Sequence, residues 1–152
     1  MKNFFISYTK TDKAWAEWLN WFVESKGFST FVQFKDIAWS ENFVVRMEEG
    51  LKEAERLITV LSPEFLASGF TAAEWTAVFA KDPDGRKRLL LPIRIHECDL
   101  SGLFGPRVYL DLVGETEEQA MATLTSALAQ LKLTPLGVDS PSSKPPFPAA
   151  MK

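Results

Sequence analysis

The chain is poor in the residues from which disulfides, metal centres and nucleic-acid surfaces are built. Its 152 residues include one cysteine, Cys98, and one histidine, His96, so an internal disulfide, a cysteine-cluster metal site and a histidine pair are excluded. Both residues are interpreted as structural or surface positions. The net charge of −3 gives no basic footprint for nucleic acid. No apolar run of about 18 residues and no signal-peptide pattern is visible. We therefore expect a cytoplasmic protein that contacts no membrane and holds no metal.

Several common catalytic motifs are also missing. No GxGxxG follows the first apolar run and no GxxxxGK[ST] occurs, so the usual phosphate-binding loops are excluded. A GxSxG elbow is absent, which makes a hydrolase triad improbable. A phosphoacceptor receiver needs an acidic cluster after the first strand, where this chain has Ser7, Tyr8 and Thr9.

Apolar runs of strand length alternate with segments of helical periodicity. Trp15, Trp18 and Phe22 belong to one stripe at helical spacing, which predicts an amphipathic helix packed on the core. A capping box of Thr116 and Gln119 predicts the start of the last helix. The strands are predicted at residues 3–8, 28–33, 56–61, 89–95 and 108–110.

This order predicts an α/β fold of the flavodoxin-like type, a three-layer sandwich. We expect a five-stranded parallel sheet in the order 2-1-3-4-5 with helices on both faces. In such a sheet ligands bind beyond the carboxyl ends of strands one and three, where the winding reverses. The loops of interest are therefore residues 7–12 and 62–74. Pro92 argues against a central position for the fourth strand, because proline lacks a ladder donor.

The composition changes near residue 134. Five of the nine prolines follow it, together with serine and without apolar periodicity. We therefore predict one folded domain over residues 1–133, followed by a Pro/Ser-rich flexible tail or linker over residues 134–152 that leads to a missing domain.

Several motifs in succession resemble TIR (Toll/interleukin-1 receptor) domains of bacterial immune and signalling proteins. They are the segments FISYTKTDKAWAEWL, VLSPEFL and AEW, together with the loop at residues 33–42. The resemblance covers residues 1 to about 133. It implies an enzyme that cleaves NAD⁺ at the nicotinamide glycosidic bond and releases ADP-ribose or a cyclic isomer. NAD⁺ would be the substrate, and no cofactor would be required.

The resemblance also assigns roles to residues. In the enzymatic branch of the family the catalytic glutamate lies in a WxxxE pattern, and Glu74 stands at its position, with Phe70 in place of the tryptophan. Ser7 and Tyr8 would form the pocket floor, and Asp36 and Trp39 would lie on a loop above it. Because such enzymes act when assembled, the resemblance implies homotypic self-association and a fused sensor domain.

The role of Glu74 has a chemical reason and a structural alternative. Cleaving the glycosidic bond passes through an oxocarbenium-like ribose, which a neighbouring carboxylate can stabilise. The departing nicotinamide needs no general acid. Thr71 and Glu74 also form a capping box, so Glu74 can serve simply to begin a helix.

Other interpretations remain open. Trp15, Trp18 and Trp75 are expected in the core, Asp36 can be only a turn residue, and Trp39 can pack back onto the domain. Ser62 and Pro63 are typical of a helix start, so Ser62 is not a nucleophile candidate. The whole chain can be a non-catalytic TIR–TIR interaction module, or an enzyme like the nucleoside deoxyribosyltransferases, which also use a glutamate.

Overall fold

A parallel β-sheet forms the centre of the computed structural model, which describes residues 1–68, 82, 86–99 and 109–148. The strands run in the order β2-β1-β3-β4-β5, and every adjacent pair is parallel. The predicted fold class and strand order are confirmed. The strands are β1 (Lys2–Ser7), β2 (Thr30–Val32), β3 (Ala54–Leu61), β4 (Leu90–Arg94) and β5 (Leu110–Asp111).

Helices lie on both faces of this sheet. In the described parts of the chain they are α1 (Lys13–Ser25), α2 (Gln33–Asp36), α3 (Phe43–Glu53), α4 (Pro63–Ser68) and α5 (Glu117–Leu131), with a 3₁₀ turn at Lys10–Asp12. The predicted capping box begins α5: Thr116 Oγ1 accepts from the Gln119 N–H at 3.2 Å, and Gln119 Oε1 accepts from the Thr116 N–H at 3.0 Å. Strand β2 is shorter than predicted because α2 begins at Gln33.

Two apolar clusters cover the two faces of the sheet. The larger one packs α1 and α5 against β1 and β3, and includes the predicted helix stripe, with Trp15, Trp18 and Phe22 all buried. The smaller one lies under α3 and α4 and contains the stacked rings of Phe5 and Phe31, 5.3 Å apart. The unbroken apolar strands follow from this burial on both faces.

Gly50 lets α3 approach the smaller cluster closely. A Cβ atom built at this position would lie 2.5 Å from Phe31 Cδ1 and 2.8 Å from Phe5 Cε2. The helix therefore rests directly on the two rings, and the missing side chain is what permits the contact.

Strand β4 corrects the prediction made from Pro92. The strand lies between β3 and β5 rather than at an edge. Its Ile95 N–H donates to Leu61 of β3, and its Arg94 carbonyl accepts from Leu112 after β5. Because successive residues of a strand face opposite neighbours, the Pro92 nitrogen faces the β5 side, one residue before the described β4–β5 pairing begins at Ile93. No ladder donor is lost within that pairing.

Residues 134–148, which we call the C-terminal strap, lie against the domain. The Leu136 N–H donates to Asn3 Oδ1 at 3.0 Å, and the Gly137 N–H donates to the Gly27 carbonyl at 3.0 Å. Further on, Phe147 is buried, with its ring centroid 5.2 Å from that of Trp15. The predicted domain limit at residue 133 and the linker role stay predictions.

Among the helices of the described residues, none combines the length and the apolar character that a bilayer span requires.

Glu117 makes the stability of the α1–α5 contact depend on pH. Its carboxylate accepts from the Trp18 indole N–H at 2.9 Å and contacts Lys144 Nζ at 3.1 Å. The Trp18 hydrogen bond, opposed by burial and assisted by Lys144, holds the pKa of Glu117 below its ordinary value of 4.5. A lowered carboxyl pKa contributes stability above the unfolded-state pKa, and that stability is lost as pH falls through the folded-state pKa.

We therefore expect the Tm, followed by circular dichroism, to fall as pH is lowered below 4.5. The fall should be smaller in Glu117→Gln, whose amide oxygen still accepts from the indole. The exposed neighbour Glu118 supplies the control, since Glu118→Gln should keep the wild-type slope. A Glu117→Gln protein with the wild-type slope would contradict this assignment.

Candidate functional site

The switch point of the sheet lies between the carboxyl ends of β1 and β3. Ser7 ends β1 and is in register with Thr59 of β3, so their side chains project to the same face. Ser7 is almost fully buried, and Thr59 Oγ1 is buried without a hydrogen-bond partner among the described residues. Because buried hydroxyls are nearly always hydrogen-bonded, Thr59 marks a place that suits a water molecule or a polar ligand group.

A buried carboxylate joins the loops at this edge. Asp12 is 4% exposed, and its Oδ2 accepts from Thr9 Oγ1 at 2.8 Å and also from Ser62 Oγ. Its other oxygen lies 3.8 Å from His96 Nε2, which follows β4. The loops after β1, β3 and β4 therefore meet at one side chain.

This cluster is not a hydrolase triad. Ser62 Oγ is bound to the carboxylate itself and accepts from the Phe65 N–H at 3.1 Å, which caps α4 as the sequence predicts. Within the described residues His96 contacts the aspartate and not the serine, so the order serine–histidine–aspartate of a triad is not formed. The arrangement holds loops in place.

Tyr8 follows β1 and faces α2. Its ring meets Phe34 edge-on at a centroid distance of 6.1 Å. Burial raises the pKa of Tyr8 above 10.0, against the lowering effect of a backbone hydrogen bond with Phe34. The phenol therefore stays protonated at neutral pH and keeps a proton for donation.

The loop over residues 36–42 is anchored at both ends. Asp36 Oδ2 accepts from the Val32 N–H at 2.7 Å, and the Asp36 carbonyl accepts from an Arg46 Nη2 at 2.8 Å. Arg46 also contacts Glu41, Nε to Oε2, at 3.0 Å. Asp36 therefore has the turn-forming role that the sequence left open, whereas a role in substrate binding stays a prediction.

Trp39 is the exception in this ordered loop. Its side chain is 92% exposed, and the adjacent Ser40 adopts a left-handed backbone with φ of 71°. The alternative in which Trp39 packs back onto the domain is not what the structure shows. Such an indole is accessible to another molecule, but a single exposed apolar side chain does not by itself mark an interface.

The two remaining candidates, Phe70 and Glu74, lie outside the described residues, as does the Thr71 capping box. Their assigned roles stay predictions. Of the predicted site residues, the structure brings Ser7 and Tyr8 together at the end of β1. It places Asp36 and Trp39 on the neighbouring loop, with the Trp39 side chain exposed.

Asp12 and Arg46 were not singled out from the sequence. Asp12 falls within the loop flagged at residues 7–12, but its contact with Ser62 joins positions 50 residues apart. Arg46 belongs to a charged stretch that is typical of a solvated helix face. For Asp12, the one signal in the sequence was an acidic residue within the loop of interest at residues 7–12.

Metal binding finds no support in the described ranges, where no group of three or more His, Cys, Asp and Glu side chains converges.

Burial raises the pKa of the Cys98 thiol, partly offset by Arg94, so at neutral pH this residue stays a thiol rather than the nucleophilic thiolate.

A family model of TIR domains matches residues 4–125, which spans most of the sheet, its switch point and the loop with Trp39. The chain belongs to the TIR domain family. The resemblance to TIR domains noted from the sequence is confirmed at the level of the family.

Solved structures agree with this fold. The TIR domain of the Toll-related receptor TRR-2 from Hydra magnipapillata superposes with a TM-score of 0.66 at 19% identity, covering 88% of this chain and 100% of that chain. A metazoan TIR-STING receptor from C. gigas, solved in complex with 2',3'-cGAMP, gives 0.69 at 22% identity and covers 90% of this chain but 42% of that chain. A prokaryotic SEFIR domain gives 0.55 at 13% identity, with 94% and 99% covered.

At these identities the likeness concerns the fold and not the activity. A search of curated proteins gave no significant match. The finer assignments, an NAD-cleaving enzyme and a bacterial immune role, therefore depend on the residues of the site.

Removing the Asp12 carboxylate should destabilise this TIR domain. Asp12→Ala leaves the Ser62 and Thr9 hydroxyls without their acceptor, and we expect a loss of roughly 2–3 kcal/mol in the free energy of unfolding measured with urea. Asp12→Asn keeps one acceptor oxygen and should cost less. The exposed Asp139 offers a control, since Asp139→Ala should change stability by no more than about 0.5 kcal/mol. Equal stability of the Asp12→Ala and Asp139→Ala proteins would refute the role of the cluster.

Proposed function

We propose that this TIR domain cleaves the bond between nicotinamide and ribose in NAD⁺, with Glu74 as the essential carboxylate. Ser7 and Tyr8 would contact the substrate at the pocket floor, Phe70 would offer a flat apolar face to a ring, and Asp36 and Trp39 would belong to the loop above. The substrate would be NAD⁺ itself, and the reaction would need neither metal nor cofactor.

The observation that carries this proposal is the polar end of the β1–β3 pair. Ser7 lies beside Thr59, whose buried hydroxyl has no partner within the part of the chain that the structure describes, and Tyr8 follows with a protonated phenol. Ribose hydroxyls and a carboxamide offer the hydrogen-bonding groups that such a surface can satisfy. The position at the switch point agrees with the general location of ligands in open α/β sheets.

The reaction proceeds at the anomeric carbon. The C1′–N1 bond breaks with its electron pair going to the pyridinium nitrogen, which releases neutral nicotinamide and leaves positive charge on the ribose. Glu74 would stabilise that charge and hold a ribose hydroxyl. A water oxygen then bonds to C1′ and loses a proton, giving ADP-ribose. If the adenine of the same molecule attacks instead, the product is a cyclic isomer.

Activity would depend on self-association. With its indole 92% exposed, Trp39 has to move, or to meet another copy, before the loop can cover a substrate. A second copy would supply that surface, and a fused sensor domain would gather copies in a cytoplasmic immune response of bacterial type. The family supports an immune setting through the receptor relatives described above.

A second candidate is a non-catalytic TIR–TIR interaction module. The exposure of Trp39 on an otherwise ordered loop favours it, since a single aromatic side chain in solvent suits a binding surface as well as a lid. The two candidates differ in what Glu74 does, because a scaffold does not need a carboxylate there.

The deciding measurement is nicotinamide release from NAD⁺, followed by chromatography. The full chain would be assayed at high concentration and clustered on beads. We expect Glu74→Gln to reduce the release by at least about 100-fold, because the amide cannot balance charge on the ribose. Glu53→Gln, an exposed change of the same kind on α3, should keep the wild-type rate.

Circular dichroism would verify that both variants are folded. Release that persists in folded Glu74→Gln would remove Glu74 from the mechanism. No release from the wild-type chain under any clustering condition would favour the interaction module.

A further inference from the structure

The strap is bound to α1 by aromatic and polar contacts. The Phe147 ring lies against both Trp15 and Trp18, with centroid distances of 5.2 and 5.0 Å. Lys144 Nζ lies 5.3 Å from the centre of the Trp21 ring. Between this anchor and the start of the strap, Ser142 makes hydrogen bonds to the buried polar side of α1. The strap therefore covers a surface rich in tryptophan.

The Glu24 carboxylate is the polar centre of that contact. Its side chain is 2% exposed, and Oε1 accepts from the Ser142 N–H at 3.2 Å and from Asn20 Nδ2 at 2.9 Å. The Ser142 hydroxyl in turn accepts from Asn20 Nδ2 at 3.1 Å. One oxygen of a buried carboxylate is thus held by the strap.

The other oxygen of Glu24 faces the opposite direction. Oε2 lies 3.5 Å from Lys35 Nζ, in α2. Lys35 Nζ also donates to the Thr30 carbonyl at 3.0 Å and to Thr30 Oγ1 at 2.8 Å, and it lies 3.7 Å from Asp36 Oδ2. Lys35 therefore fixes the start of the loop that carries Asp36 and Trp39.

We propose that the C-terminal strap and the loop at residues 33–42 are energetically coupled through Glu24. One carboxylate is shared between the Ser142 N–H on the strap and the Lys35 ammonium beside the loop. When the strap leaves, water reaches Glu24 and the Glu24–Lys35 pair becomes a surface ion pair, which contributes little. Strap release therefore loosens the loop, and by linkage the loss of the Lys35 contact with Glu24 loosens the strap.

Hydrogen exchange measured by mass spectrometry on the 152-residue chain tests this coupling. Phe147→Ala removes the aromatic anchor of the strap. Ser142→Pro removes both Ser142 hydrogen bonds and leaves the apolar core intact. The Ser142→Pro protein replaces the Phe147→Ala protein in the experiment if Phe147→Ala is not folded. In either variant we expect exchange in the loop peptide, residues 33–42, to become about fivefold faster. In a Lys35→Met background the same strap variant should leave loop exchange unchanged.

A second experiment tests the coupling in the reverse direction, from the loop to the strap. Lys35→Met should speed exchange in the strap peptide, residues 134–148, by a similar factor. Arg46→Met is the matched control, because Arg46 holds the loop at the Asp36 carbonyl and at Glu41, and Glu24 is not among its described partners. It should speed exchange in the loop but not in the strap. Ser143→Ala, an exposed change within the strap, should alter neither peptide.

The coupling is overturned if a folded strap variant frees residues 134–148 while loop exchange stays at the wild-type rate. It is equally overturned if Arg46→Met and Lys35→Met loosen the strap to the same extent, since that would indicate general destabilisation. Both results concern structure alone and do not depend on any activity.

The consequence for catalysis rests on the proposed function. A loop freed from Lys35 rearranges over a substrate more readily, so strap variants should raise nicotinamide release by clustered protein, up to about fivefold. Release that is detectable but identical in wild type and strap variants would overturn this regulation. Absence of release from every protein would overturn the proposed function, while the exchange data would still decide the coupling.

Discussion

One buried carboxylate holds the functional edge of this TIR domain together. Asp12 accepts hydrogen bonds from the loops after β1 and β3 and faces His96 after β4. Three chain segments that are distant in sequence are thereby fixed where the sheet reverses its winding. Ser7, which is in register with Thr59, is followed within five residues by this anchored carboxylate. Burying an acid is expensive, and hydroxyl donors on two sides are what make it tolerable here.

Most of the fold could be predicted from the sequence, because the hydrophobic pattern carries it. Strands buried on both faces appear as continuous apolar runs, and α1 shows its buried face in a tryptophan stripe. The same local reasoning was wrong for Pro92. A proline in a central strand is costly only where its nitrogen faces a paired neighbour, and which neighbour it faces depends on the register between strands, which local sequence does not state.

The site was predictable in its location but not in its contacts. The strand order places the ends of β1 and β3 side by side, as expected, whereas the binding roles that the resemblance gives to Ser7 and Tyr8 stay predictions. The Asp12–Ser62 hydrogen bond and the contacts of Glu24 with Lys35 and Ser142 join residues far apart in the chain, and no local sequence pattern predicts them. The strap shows the same limit: its prolines and serines indicate a linker by composition, whereas a single aromatic residue, Phe147, gives it a place against α1.

The close packing of α3 on the Phe5 and Phe31 rings limits which amino-acid substitutions this part of the domain can accept. Gly50 and the Phe31 ring share one volume, because a Cβ atom at position 50 would fall inside contact distance of the ring. A larger residue at 50 therefore requires a smaller one at 31, and overpacking penalises either change made alone. Since the Arg46 guanidinium also stacks over Phe31 at 5.5 Å, the same ring ties the spacing of α3 to the far end of the Trp39 loop. In homologues the three positions are expected to change together, as one coevolving unit that spans core and loop.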